Sequence, residues 1–395
     1  MNLYQEMYNV MRNHKRFWNY YDMDFDDVFQ NEDIPRDFIY NYFKSGSKTY
    51  ELDNVLESMN ECKMRNVHTV NVFFIGVILQ RIIDKNIAIK SSEYSDYPFS
   101  YIWYLLCLAH DWGYMYEMRS EEYIAGKQIK LQPIKFNHDY ITAKRRLCNN
   151  QQHSWCQRHG VNVAELHYIS RDGSIQSNKN IGQEDDHKII FNNGSIVKRS
   201  QYSAITKYNY FCYRVKEMNT LDHGIVGADY FYSKMIINYI KEYRKVAKKN
   251  NFQESIYDFH NDRYLHFCSE QIKIFAYIAD CIASHNIYMA EDKDKEIYRK
   301  YYLNSLLPER FKRISYKDNP LLFILCVADT IEPSKRFQDY SNDEVLRLIT
   351  VEYNLADNEL RIGIDEELCN SVAGRKYVSS VESLPEWCDI NVKLI

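Results

Sequence analysis

The residue pattern predicts a mainly α-helical protein, on three observations. Turn-formers are scarce, with 12 Gly and 7 Pro among 395 residues, which favours long helices over many short strands. Two segments, Met64–Ile83 and Phe99–His110, are apolar nearly all round, the mark of helices buried on every side. Other segments carry apolar stripes at helical spacing, such as Ile274, Ile278 and Ile282.

Taken in order, residues 1–60 form an aromatic-rich N-terminal helical extension, broken near Ile34-Pro35 and Ser45-Gly46. Such a region serves as core or as the surface of a homodimer. A core follows over 61–340. Met64–Ile83 is its first buried helix, and Phe99–His110 its second, with Gly113 placed to end it. Residues 117–220 are polar and weakly periodic, and read as an irregular insertion. Within it, Ile189–Val197 reads as a hairpin around an Asn-Gly turn. A helix opens at His223, with Asp222 as N-cap. Phe267–His285 and Pro320–Ile331 are the next helices, the last with Pro at its first position and a stop before Pro333. From 341 to 395 the pattern switches. Ile349, Val351 and Tyr353 alternate, then Leu360, Ile362 and Ile364, across a polar turn at Asn354–Asn358. A helix near Ser371–Leu384 and a strand at Ile390–Ile395 complete a small C-terminal α/β appendage.

The formal net charge of −4 gives no global pull toward nucleic acid or an anionic membrane, although a local cationic site remains open. The apolar runs Val70–Leu79 and Tyr101–Ala109 are shorter than the roughly 18 residues a membrane span needs. No CxxC pair occurs, Cys107, Cys281 and Cys326 sit in apolar helical runs, and the first residues lack the apolar centre of a signal peptide. The expectation is a cytoplasmic protein without a disulfide framework.

The chemistry lies in ionisable residues planted where helical periodicity predicts core. His68 sits near the start of one apolar helix, His110 and Asp111 close the second, His223 opens another, His285 ends its helix, and Asp329 lies inside Leu325-Cys-Val-Ala-Asp-Thr-Ile331. A buried carboxylate without a partner costs several kcal/mol. One divalent centre explains all six, because a cation takes imidazole and carboxylate ligands together. A nitrogen and oxygen donor set suits one or two ions of Fe, Mn, Zn, Ni, Co or Mg without choosing among them. His223 could instead simply start its helix, and His285 could favour a helix C-terminus. His138-Asp139 repeats the dipeptide in a polar stretch and reads as surface loop. His153, Cys156 and His159, with Cys148 nearby, match no common zinc spacing. Lys241, Arg244, Lys245, Lys248 and Lys249 read as a solvated helix end.

Arg65-Asn-Val-His68, His110-Asp111 and Asp329 follow the H…HD…D order, and this set resembles the HD superfamily of metal-dependent phosphohydrolases. Asp222-His223-Gly224 and Ser284-His285 match the two extra histidines of its two-metal members. Val327–Arg336 is similar to the closing motif of bacterial symmetrical diadenosine tetraphosphatases, and the ligand order is similar to that of the HD-GYP phosphodiesterases. The likeness covers roughly 64–336, interrupted by 117–220. It implies an HD-domain helical bundle. It implies that His68, His110, Asp111 and Asp329 hold one metal and His223 and His285 a second, with Asp111 bridging and a hydroxide between the metals as nucleophile. Glu332, Lys335 and Arg336 follow Asp329 closely, and with Arg65, one turn before His68, are the expected substrate-binding residues, the cations among them gripping phosphate; Asp111, His110, Lys335 and Arg336 are the expected catalytic residues. Many relatives follow the HD pair with a small residue, Gly and Lys, where this chain has Trp112-Gly113-Tyr114. The expected reaction is hydrolysis of a phosphoester or phosphoanhydride in a nucleotide or small phosphorylated metabolite. The alternatives are an HD-type nuclease acting on DNA or RNA, and a non-catalytic nucleotide-binding sensor.

Overall fold

A computed structural model of the chain describes all residues except 31–32, 47, 50–51, 60–63, 92–94, 126–167, 170–174, 177–187, 199–200, 233, 236–237, 239–268 and 338. Its centre is the helix Met64–Asp84, buried without interruption from Asn66 to Gln80. At 21 residues it is long and apolar enough to cross a membrane, but most of its apolar stretch is buried inside the fold. Four helices pack directly on it: Leu3–Asn13, Ile34–Ser45, Phe99–Cys107 and Pro320–Ile331. Ser269–Ser284 closes the bundle by lying on both Phe99–Cys107 and Pro320–Ile331. The apolar-all-round pattern of the central segments has its cause here, since neighbours cover every face.

Local chemistry sets the helix ends. Asn2 caps the first helix by accepting from the Gln5 amide at 2.9 Å. Asn319 and Pro320 start the Pro320–Ile331 helix, which stops before Pro333 as its sequence dictates. Asp222 Oδ1 accepts from the Ile225 amide at 2.9 Å and starts the helix that opens with His223. The second buried helix is shorter than expected. It ends at Cys107, and turns carry the chain through His110 and Asp111. Gly113 does not cap it, because its φ of −71° is ordinary helical backbone.

Residues 1–60 are part of the core and not an extension from it. Trp18 is buried, donates its indole N–H to the Val10 carbonyl at 3.2 Å, and lies within ring contact of Phe25, Phe38, Tyr42, Phe73 and Phe74. The aromatic richness of this stretch is therefore spent against the central helix.

The described part of 117–220 is more regular than its polarity suggests. Lys188–Ile190 and Ile196–Lys198 pair antiparallel, and Gly194 takes the left-handed φ of 88° that the Asn-Gly turn predicts. Ala204–Met218 is a helix, capped by Ser203 and ended at the left-handed Asn219. Its buried face is Tyr210, Phe211 and Val215, with Lys207 ion-paired to a buried Asp280. Tyr and Lys on the inner face hide the stripe from a hydropathy reading. His138-Asp139, the group Cys148, His153, Cys156 and His159, and Lys241–Lys249 lie outside the described residues.

The C-terminal unit forms as expected. Ile349–Asn354 and Glu359–Ile364 pair antiparallel, with Ile349 opposite Ile364. Asn391–Leu394 adds in parallel beside Glu359–Ile364, after a crossover through the helix Val372–Glu382. That helix docks on Pro320–Ile331, and Tyr377 Oη donates to the Ile331 carbonyl at 2.6 Å, satisfying an end of the helix that carries Asp329.

Trp18→Ala should lower stability by about 3–5 kcal/mol, since it empties a fully enclosed aromatic site. Urea unfolding followed by circular dichroism measures it. A variant as stable as the parent would mean that residues 1–60 are not part of the core.

Candidate metal centre

Five segments deliver the ionisable residues to one point. His68 comes from the first turns of the central helix, and His110 and Asp111 from the turns after Cys107. His223 comes from the start of its helix, His285 from just past Ser284, and Asp329 from the last turn of Pro320–Ile331. His68 Nε2 lies 2.9 Å from Asp329 Oδ1 and 3.7 Å from Asp111 Oδ2. His110 Nε2 lies 3.2 Å from Asp111 Oδ1. His223 Nε2 is 3.3 Å from His285 Nε2 and 3.9 Å from Asp111 Oδ1. Ligand atoms of His68, His110 and Asp329 all fall within 4.8 Å of one another, as do those of His110, Asp111 and His285. Either group could hold a metal ion.

The outer nitrogens explain the geometry. His110 Nδ1 donates to the Cys107 carbonyl at 2.6 Å, and His285 Nδ1 donates to the Ile282 carbonyl at 2.5 Å. A carbonyl only accepts, so in the neutral ring the proton sits on Nδ1 and the lone pair on Nε2. Carboxylates do the same for the other two: His68 Nδ1 donates to Glu332 Oε2 at 2.5 Å, and His223 Nδ1 donates to Glu117 Oε2 at 2.5 Å. All four rings are held from outside with Nε2 turned inward, the arrangement by which second-layer groups orient metal-binding histidines. His223 and His285 thus face each other with lone pairs at 3.3 Å, which repel unless a cation or proton lies between them. Two imidazoles bound to one ion at roughly 2.0–2.1 Å hold their nitrogens roughly 3.3 Å apart in a tetrahedral arrangement. Buried His110 Nε2 and Asp111 Oδ2 have no hydrogen-bond partner among the described residues. The residues present therefore fit a divalent ion.

The charges respond to this crowding. Burial alone would raise Asp111, but His110, His68, Arg65 and His223 outweigh it and hold the carboxyl well below its usual range. Asp329 is depressed likewise: burial is overcome by Lys335, His68 and His110. Burial holds His110 below its ordinary value, and burial with the neighbouring His223 and His110 pushes His285 down to about 3. Burial and Lys335 pull His68 down, yet Glu332 and Asp329 outweigh them and hold it above its ordinary 6.5.

The predicted phosphate contacts divide. Arg65 lies at the centre, with Nη1 3.7 Å from Asp111 Oδ2. Lys335 also lies there, but its Nζ pairs with Asp329 Oδ1 at 2.8 Å, so it braces a metal-ligand candidate. Glu332 is not placed to meet substrate. It is fully buried, holds His68 through Oε2, and accepts from Asn71 at 2.8 Å and the Ser334 amide at 2.8 Å through Oε1. Against the burial that would raise it, His68 and these donors keep its carboxyl at about 2. Arg336 donates through Nη2 to Ser380 Oγ at 3.0 Å on the C-terminal unit.

Sequence reasoning missed Glu117, Asn71 and Tyr114. Glu117 sits at the edge of the polar segment, six residues past Asp111, with only its spacing of four from Gly113 as a signal. Gly113 is needed for close approach: a Cβ there would lie 1.9 Å from the His223 carbonyl oxygen. Any side chain would push the His223 helix off the HD turn.

No protein-family model, curated protein or solved structure matches this chain.

Glu332→Gln and Glu117→Gln should each weaken divalent-metal binding about 10–100-fold, since each loosens the orientation and basicity of one imidazole. Calorimetric titration with Zn²⁺ or Co²⁺ reads this, and unchanged affinity in both would argue against metal at the centre. Metal must also expel the His68 proton, which persists above pH 6.5 because that group is raised. Affinity should thus climb with pH through that region, about tenfold per unit for one displaced proton. Titrations in buffers of different ionisation enthalpy count the proton released; a flat profile between about pH 6 and 7 would contradict the assignment.

Proposed function

We propose that this protein is a metal-dependent phosphohydrolase of the HD type. It would cleave a phosphoester or phosphoanhydride bond in a nucleotide or small phosphorylated metabolite. One observation carries the reading: four imidazoles, each held at Nδ1 by an outer acceptor, turn Nε2 inward around the buried Asp111, with the half-buried Asp329 against His68. A purely structural cluster gains nothing from aligning four lone pairs and two negative charges. The ordered H…HD…D set of the sequence supports the same reading.

In this reading His68, His110, Asp111 and Asp329 would hold one ion, and His223 and His285, with Asp111, would hold a second. Bound divalent cations supply an acidified water as nucleophile and a clamp on the attacking and leaving oxygens at phosphorus. The chain's own residues do the rest. Glu332 and Glu117 fix two rings, and the Cys107 and Ile282 carbonyls fix the others, so little reorganisation remains when substrate arrives. Lys335 neutralises Asp329 and keeps it a carboxylate. Arg65, Lys335 and Asp329 are the partly exposed members, with 23%, 25% and 17% of their side chains open. The centre is therefore open to solvent at these residues, and the two cations suit a phosphoryl anion. A chain with net charge −4 has no general attraction for polynucleotide, which favours a small substrate.

Asp111→Ala should abolish metal uptake and turnover together, because Asp111 lies against three of the four imidazoles. Metal analysis of the purified protein, with a panel of nucleotides, cyclic dinucleotides and oligonucleotides under Mn, Fe, Co, Ni, Zn and Mg, tests the assignment. Turnover retained in Asp111→Ala would refute it. Metal binding without turnover on any substrate would replace it with a sensor, and exclusive cleavage of oligonucleotides with a nuclease.

A further inference from the structure

The turn after the HD pair carries an unusual stack. Arg65 Cζ lies 3.4 Å from the centre of the Tyr114 ring. His223 stacks on the same ring, with centroids 3.9 Å apart and planes 18° from parallel. Two groups this close to one ring centre must take opposite faces, so Tyr114 is sandwiched between a guanidinium and a metal-ligand candidate. The same short helix, Tyr114–Glu117, also supplies Glu117 to His223 Nδ1. One segment therefore braces His223 by a ring face and by a hydrogen bond.

A guanidinium lying flat on an aromatic ring keeps its N–H donors in its own plane, pointing outward from the stack. Arg65 is so placed that Nη1 stands 3.7 Å from Asp111 Oδ2, beside the proposed metal ligands. Both Arg65 and Tyr114 are half-buried, so the edge can be reached from solvent. The pair thus sets a guanidinium beside the proposed metal ligands.

We propose that Tyr114 is a positioning residue that lays Arg65 flat as a preformed clamp for a phosphoryl oxygen at the metal centre, and steadies His223 with its other face. This rests on the metal-centre reading given above and names the chemistry the site would grip, a tetrahedral phosphoryl anion. Planarity is what matters: lysine carries the charge but cannot form the flat fork, and phenylalanine keeps the ring without the hydroxyl.

The full-length protein loaded with Co²⁺ and titrated with inorganic phosphate tests the proposal, with the cobalt d–d absorption as readout. Tyr114→Phe should bind phosphate within about twofold of the parent, while Tyr114→Leu and Arg65→Lys each weaken it about tenfold. Tyr114→Leu should also shift the cobalt band, as His223 loses its support, and Arg65→Lys should not. Parental phosphate affinity in Tyr114→Leu, or a loss in Tyr114→Phe as large as in Tyr114→Leu, would overturn it. If Tyr114→Leu does not fold, Arg65→Lys decides, and unaltered phosphate binding there refutes the clamp. Cobalt uptake with no response of the parent to phosphate refutes the clamp but leaves the metal reading intact. No cobalt uptake by the parent removes both.

Discussion

The structure is organised around the compensation of buried charge. Asp111 and the four imidazoles lie almost wholly out of water, on or just past the ends of helices whose buried residues are mostly apolar. Isolated, such groups would destabilise the fold by several kcal/mol each. Here each is answered by another ionisable group, a carbonyl or an amide. The helices can converge only because their polar residues meet.

That compensation extends well beyond the centre. Glu332 also accepts from Asn71, Asn71 donates to Asn342 as well, and Asn342 donates to the Phe29 carbonyl at 3.1 Å. One chain of polar contacts thus runs from His68 to the N-terminal region and to the start of the C-terminal unit. On the other side Glu117 and Asp222 share Arg214, at 3.1 and 3.7 Å, and Asn286 donates to Asp222 at 2.7 Å. The helix Ala204–Met218 is tied to the centre through that arginine. Segments that look peripheral in sequence are therefore part of the site's support, and satisfied networks of this kind rigidify what they enclose.

Close approach is the second requirement. The His223 helix reaches Asp111 only because Gly113 leaves no side chain between them, and Gly227 meets the same backbone from the opposite side. Tyr114 then closes over His223, and Arg65 over Tyr114. The result is a layered wall on one flank of the centre, with Lys335 and Asp329 on another.

The sequence by itself determined the helical class, the limits of Pro320–Ile331, the C-terminal hairpin and the six residues of the centre. Each leaves a one-dimensional trace: apolar periodicity, a Pro or Asx cap, or an ionisable residue where grease is expected. Tertiary structure alone decided the rest. Glu332 and Arg336 are four residues apart, yet one holds His68 and the other donates to Ser380. Glu117, Asn71 and Tyr114 are ordinary polar or aromatic residues in their local contexts. They acquire roles only when helices distant in the chain bring His223, Glu332 and Arg65 against them. Convergence of this kind depends on how helices cross, and no periodicity along a single helix encodes it.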